Sequence, residues 1–252
     1  MIIQSCAFAV HYPQNSKIRE QLFTLEEHFT DFQKPFTLVP LPPEAPMELP
    51  RIVAATKHGH SQLTICGNNA QLTTNFDDNF NRDVNRCISY IREKCDRIVS
   101  SLSIIDRSGT HTPKFYFSGL TMTLLFNKED GIEDSVKYLS DKFLQYHTNL
   151  KTDELQFRLA LVVEDQYYVN VMAQNRRMFL GAPDERGSFA GLKSLGDQLQ
   201  LVLDINDRYA FNHRVNYTSC LENVTRISYL AEQFVTKYIE LFLKNGEIQY
   251  GE

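Results

Sequence analysis

The chain has 252 residues, of which 42% are hydrophobic and 23% charged, and a formal net charge of −5. Such a composition builds a sizeable core and argues against disorder, and it lacks the basic footprint usual in nucleic-acid binders. No run of about 20 apolar residues marks a membrane helix, and the start Met1-Ile2-Ile3-Gln4-Ser5-Cys6 has neither the positive charge nor the apolar block of a secretory signal.

In chain order, Phe8, Val10 and Tyr12 alternate within a strand expected over 2–12. Ser16 is placed to cap a short helix over 17–32, with Ile18, Leu22, Leu25, Phe29 and Phe32 on one face and Pro35 as its stop. A short strand over 36–41 leads into Pro40, Pro42, Pro43, Pro46 and Pro50, which make an extended, semi-rigid surface segment. Residues 51–76 read as a three-strand meander turning at His58-Gly59-His60 and Gly67-Asn68-Asn69. A long helix over 82–102 follows, with Val84, Ile88, Ile91, Cys95, Ile98 and Leu102 as its apolar stripe and Asp83 in its first turn.

The polar, breaker-rich segment 106–113 is the expected boundary between two halves, 1–112 and 113–252. The order then repeats. A strand is expected over 115–126, and a short helix over 131–146 carries Ile132, Val136, Leu139, Phe143 and Tyr146. A hairpin of 155–163 and 167–173 turns at Glu164-Asp165, with Arg176 to Leu180 extending it. Gly181, Gly187, Gly191 and Gly196 mark a loop over 181–196, and Leu199, Leu201, Leu203 and Ile205 then alternate in a strand. The last helix, 221–244, carries Val224, Ile227, Ala231, Phe234, Tyr238 and Leu241 and stops near Gly246. The expected class is therefore α+β: two similar halves, each strand, short helix, antiparallel strands and long helix, forming helix-covered antiparallel sheets. Duplication rests on element order, without a residue-level repeat; two unrelated α+β domains are the alternative.

Candidate chemistry is sparse. His58 and His60 share one side of an extended segment, as two metal ligands would, and Asp204 is the carboxylate that could join them. With Asp77, Asp78 and Asp207 they would serve a metal-dependent phosphodiesterase or nuclease; polar turns and strand ends explain the same residues. Gly191-Leu192-Lys193-Ser194 fails the phosphate-loop spacing because position 192 is Leu. Arg176 and Arg177, with Arg186, Lys193 and an exposed Phe189 in the glycine-rich loop, form a candidate partner-binding surface. Tyr167, Tyr168, Arg176 and Arg177 could instead serve single-stranded nucleic acid. Five dispersed cysteines (Cys6, Cys66, Cys87, Cys95 and Cys220) without a CxxC pair point away from disulfides and structural zinc, and toward a reducing cytoplasm.

The run from Pro50-Arg51 through His58-Gly59-His60-Ser61 and Gly67-Asn68-Asn69-Ala70-Gln71-Leu72, with Leu201-Val202-Leu203-Asp204-Ile205-Asn206 before the last helix, resembles a sporadically distributed family of uncharacterised bacterial proteins. Only Gly119-Leu120 and Asn127 match that family's second-half strand. The resemblance implies no activity or residue roles; its patchy distribution implies a defence or toxin–antitoxin setting. The expectation is a cytoplasmic, non-enzymatic interaction protein with a protein partner or self-association, no cofactor and no catalytic residues; nucleic-acid binding or a chaperone-like role is the alternative.

Overall fold

The computed structural model describes residues 1–42, 44–103, 115–143, 150 and 152–251. Pro43, the expected boundary segment 106–113 and Tyr146 of the second short stripe lie outside the described residues.

The strands are β1 (Ile2–His11), β2 (Thr37–Leu38), β3 (Ile52–Ala55), β4 (Ser61–Ile65), β5 (Asn69–Asn75), β6 (Phe117–Phe126), β7 (Gln156–Val163), β8 (Tyr167–Leu180) and β9 (Lys193–Asn206). They form one antiparallel sheet in the order β2-β3-β4-β5-β1-β6-β9-β8-β7. Connection order is matched on either side of the central β1–β6 pair: β5, β4 and β3 follow outward from β1 as β9, β8 and β7 follow outward from β6. The helices are α1 (Leu22–His28), α2 (Val84–Ser103), α3 (Ser135–Phe143), α4 (Arg208–His213), α5 (Leu221–Gln233) and α6 (Ile239–Asn245), the last two joined by a π-helical turn, Phe234–Tyr238.

Alternation decides which face of the sheet is covered. Ile3, Cys6, Phe8 and Val10 of β1, Leu120, Met122 and Leu124 of β6, and Leu199, Leu201, Leu203 and Ile205 of β9 are buried in one core with Ile88, Ile91, Cys95 and Ile98 of α2 and Val224, Ile227 and Ala231 of α5. Burying each such side chain contributes about 1.5–3 kcal/mol, so the helix stripes expected from the sequence are seals for the sheet. The strand residues between these positions point to the opposite face, which no long helix covers among the described residues.

Several boundaries differ from expectation. The first short helix begins as a 3-10 turn at Ile18 and ends at His28, yet Phe29 and Phe32 remain buried because they pack on each other and on Phe36. The last helix keeps its stripe through Tyr238, but Leu241 is 43% exposed while Phe242 is 3% exposed. In the π-helical turn the Ile239 N–H donates to Phe234 C=O, which adds a residue to one turn and moves the buried phase by one position. The glycine-rich loop is shorter than 181–196, since β9 begins at Lys193 and absorbs Leu195 as a bulge opposite Met178 and Phe179. Helix α4 had no periodic signal in the sequence; it is only six residues long.

Candidate functional site

The uncovered face is the surface on which polar side chains converge. Its middle strands carry short side chains: Ser5, Ala7 and Ala9 on β1 lie opposite Thr123, Thr121 and Gly119 on β6. Longer side chains flank this strip, with Gln71, Thr73 and Asn75 on β5 and Gln200, Val202, Asp204 and Asn206 on β9. Three inter-strand steps separate β5 from β9, about 14 Å, so the strip is wide enough for an extended chain. Gly119 is required there, because a Cβ at this position would meet the Asn206 Cβ at 2.9 Å.

Asp204 anchors the β9 side. Its carboxylate accepts from Thr121 Oγ1 (3.2 Å), Asn170 Nδ2 (2.9 Å) and Asn206 Nδ2 (3.0 Å). Gln174 Nε2 donates to Gln200 Oε1 at 3.0 Å, and Arg176 donates to Gln4 Oε1 at 2.9 Å, extending the polar network across β8, β9 and β1. One end of the face is aromatic. His11 stacks on Phe117 (4.2 Å), Phe117 meets Phe211 (5.3 Å), and Tyr168 meets Tyr209 (5.2 Å), so α4 lies over this end. Arg208 sits over the Phe117 ring at 5.1 Å. Burial first, and Arg208 second, push the pKa of His11 below its ordinary value.

Beneath that end lies a polar cluster on the covered side. Asp207 is fully buried. Its carboxylate accepts from Ser118 N–H (2.7 Å), Tyr217 Oη (2.8 Å) and Ser219 Oγ, and the Ser118 and Ser219 hydroxyls are 2.9 Å apart. Burial raises the Asp207 pKa, opposed by the hydrogen bonds from Ser219, Ser118 and Tyr217. The cluster ties the start of β6 to the end of β9 and to the segment entering α5.

The expected site residues are dispersed. His58 is exposed in the β3–β4 turn, and His60 Nε2 lies 3.9 Å from Asp77 Oδ2. Asp204 is on β9, four inter-strand steps from β4, roughly 19 Å away, so the structure does not bring His58 and His60 to it. Asp77 and Asp78 accept from Asn79 N–H and Asn81 Nδ2 and order the loop before α2. Among the described residues no group of three or more His, Cys, Asp or Glu is arranged to hold a metal.

Of the basic cluster, Arg176 alternates onto the open face, whereas Arg177 points to the other side and pairs with Asp153. Arg186 is exposed in the loop after β8, where Asp184 accepts from the Arg186 and Ser188 N–H groups. Phe189 stacks on Phe179 at 4.8 Å but stays 47% exposed, and Lys193 is exposed opposite Leu180 at the far end of the hairpin. Tyr167 is buried, while Tyr168 faces the open side.

The aromatic end and the Asp207 cluster escaped the sequence reading. A signal for Asp207 was present: Leu199, Leu201, Leu203 and Ile205 set an inward phase that position 207 continues. Compared with protein-family models, curated proteins and solved structures, the chain matches none of them.

Proposed function

We propose that the protein is a non-catalytic binding protein that receives a protein partner on the open face of its sheet. The observation that carries this proposal is the one-sided cover of the sheet: helices seal one face, and the other presents hydroxyl and carboxamide groups around a strip of short side chains. The open-face positions of β1, β5 and β6, and those of β9 from Gly196 to Asn206, carry no lysine or glutamate; Lys193 lies beyond them at the far end of the hairpin. Both types are depleted at interface cores, because flexible charged side chains are costly to desolvate and immobilise. Ala9→Arg and Thr123→Arg would each fill the strip. A partner retained from the native host by the wild type and lost by both variants, with their thermal unfolding unchanged, is the expected result. Recovery of no partner, or of one indifferent to both variants, refutes the proposal.

A second reading, single-stranded nucleic acid on the same face, is favoured by Arg158, Arg176 and Arg208 set against Asp204, with Tyr168, Tyr209 and Phe211 at one end. It requires a gel shift at low salt that weakens steeply as salt rises.

The same proposal includes an internal duplication of the halves 1–112 and 113–252, supported by the matched connection orders β1-β5-β4-β3 and β6-β9-β8-β7. It also keeps the reducing cytoplasm and the bacterial defence or toxin–antitoxin setting, which the identity of a recovered partner would test.

A further inference from the structure

The two ends of the sheet are unlike. At one end β2 is two residues long and gives way to the proline-rich segment. At the other, β7 is eight residues long, without proline, lysine or bulge, and among the described residues no strand pairs with its outer edge. The direction of its backbone follows from its ends. Leu155 N–H donates to Asn175 Oδ1 and Asn175 N–H donates to Leu155 C=O, so residue 155 is turned toward β8. Gln166 N–H donates to Val163 C=O, so residue 163 is turned the same way. Alternation then turns Gln156, Arg158, Ala160 and Val162 outward, each offering an N–H and a C=O along the edge. Phe157, Leu159 and Leu161 are only half-buried on the helix side, and on the open face Gln156, Arg158, Ala160 and Val162 are all exposed. Among the described residues Arg158 is the one charge that guards β7, and so long and lightly guarded an edge is a template for another strand.

We propose that β7 pairs with β7 of a second copy of this chain, antiparallel, about a two-fold axis at Ala160, so that one sheet runs through both chains. Charge and strand length together select the register. Centring on Leu161 would set Arg158 opposite the turn residue Glu164, which Arg226 already holds, and would pair only residues 160 and 162 within the strand. Centring on Arg158 sets that guanidinium opposite itself, and centring on Leu159 sets Glu154 opposite Glu164, and like charges directly opposite are destabilising. Centring on Ala160 sets Arg158 opposite Val162 and Gln156 opposite Glu164, with the smallest side chain of the strand on the axis. On the helix side it sets Leu159 opposite Leu161 and Phe157 opposite Val163, which covers the half-buried apolar row. Residues 158, 160 and 162 of the two copies then exchange about six backbone hydrogen bonds. This pairing is independent of a partner on the open face, and either can fail without the other.

Light scattering on the intact protein should give twice the 29.2 kDa chain mass. Ala160→Cys should form a reducible covalent dimer under mild oxidation, because residues facing each other in a hydrogen-bonded pair have Cα atoms about 5.5 Å apart, within disulfide reach. A cysteine at Thr37, on the opposite edge, should not. Ala160→Lys, which sets two ammonium groups on the axis, should give a monomer with an unchanged circular dichroism spectrum; Val162→Lys serves the same purpose if that variant precipitates. A wild-type monomer at hundreds of micromolar overturns the proposal, as does a dimer that survives both lysine variants and does not cross-link through residue 160.

Discussion

Replacing Asp207 with alanine removes the acceptor that Ser118 N–H, Tyr217 and Ser219 share. The Ser118 and Ser219 hydroxyls can still satisfy each other across 2.9 Å, and the half-buried Tyr217 can turn to water. The Ser118 N–H is buried and loses its partner. An orphaned buried donor costs about 1–3 kcal/mol, and the small void left by the carboxylate adds about 1 kcal/mol. A loss of about 3 kcal/mol in a chain of this size lowers Tm by about 6–12 °C. Asp207→Asn keeps an acceptor for Ser118 and turns its amide toward two hydroxyls that can rotate to accept, so about 1 kcal/mol is expected near neutral pH. The pH dependence has a definite sign. Burial raises the Asp207 pKa above the ordinary 3.8. The stability contributed by its protonated form is therefore fully present below 3.8 and is lost as pH rises through the folded-state value. Urea unfolding of wild type and both variants from pH 4.5 to 8 should show the wild type losing ground to the asparagine variant as pH rises. An alanine variant within about 0.5 kcal/mol of wild type, the range of an inert surface change, would refute the buried-acceptor account, and a wild-type advantage that grows with pH would refute the sign.

The π-helical turn makes Phe242→Ala costly, about 3–5 kcal/mol, and Leu241→Ala cheap, under about 1 kcal/mol; the reverse order in urea melts would remove the phase shift. Lys94 of α2 is buried against Asp31, which Arg97 also holds at 2.9 Å. Asp31→Ala leaves that ammonium with only Glu93 at 3.7 Å and the Tyr90 ring at 5.0 Å, at a cost of about 3 kcal/mol, whereas Lys94→Met should stay within about 1 kcal/mol of wild type, and equal losses in the two variants would contradict the pairing. Arg208→Gln should raise the His11 pKa toward 6.5 in an NMR titration, because Arg208 helps to hold it down. A depressed histidine contributes stability that is present above 6.5 and lost as pH falls through the folded value, so the Arg208 variant should tolerate acid better at this site; an unmoved His11 titration would rule out the coupling.

Alternation and helical spacing carried most of the fold. The inward phase of β1, β6 and β9 and the stripe of α2 are written directly in their apolar positions, because a sheet face and a helix stripe bury residues at fixed periods. Strand order was not legible, since which strands become neighbours depends on long-range pairing that no local period encodes. The open face was half-legible. The polar alternates of β9 stood out, but the short side chains of β1 and β6 are informative only once those strands are placed side by side. The aromatic end joins residues 11, 117, 168 and 211, which are brought together by the ends of four elements. The histidines and Asp204 looked like a ligand set because sequence spacing says nothing about the strands standing between them.

The proline-rich segment and the glycine-rich hairpin are where the two sides of the sheet part company, and their physical consequences differ. The proline segment is held to the β2–β3 edge: buried Arg51 donates to the Ala45 and Pro46 carbonyls, Arg19 donates to the Leu41 and Val39 carbonyls, and Val39 N–H donates to Arg51 C=O. Proline lacks the N–H that a further strand would need, so this edge is closed to addition. The long hairpin of β8 and β9 does nothing comparable for β7. A sheet with two open edges can add copies without limit, because each addition exposes another edge. A sheet with one closed edge and one open edge stops at two, because a two-fold pairing consumes the open edge of both copies. The clamped prolines thus do for assembly what the helices do for the covered face, and they make a dimer, rather than a fibre, the end point of pairing through β7.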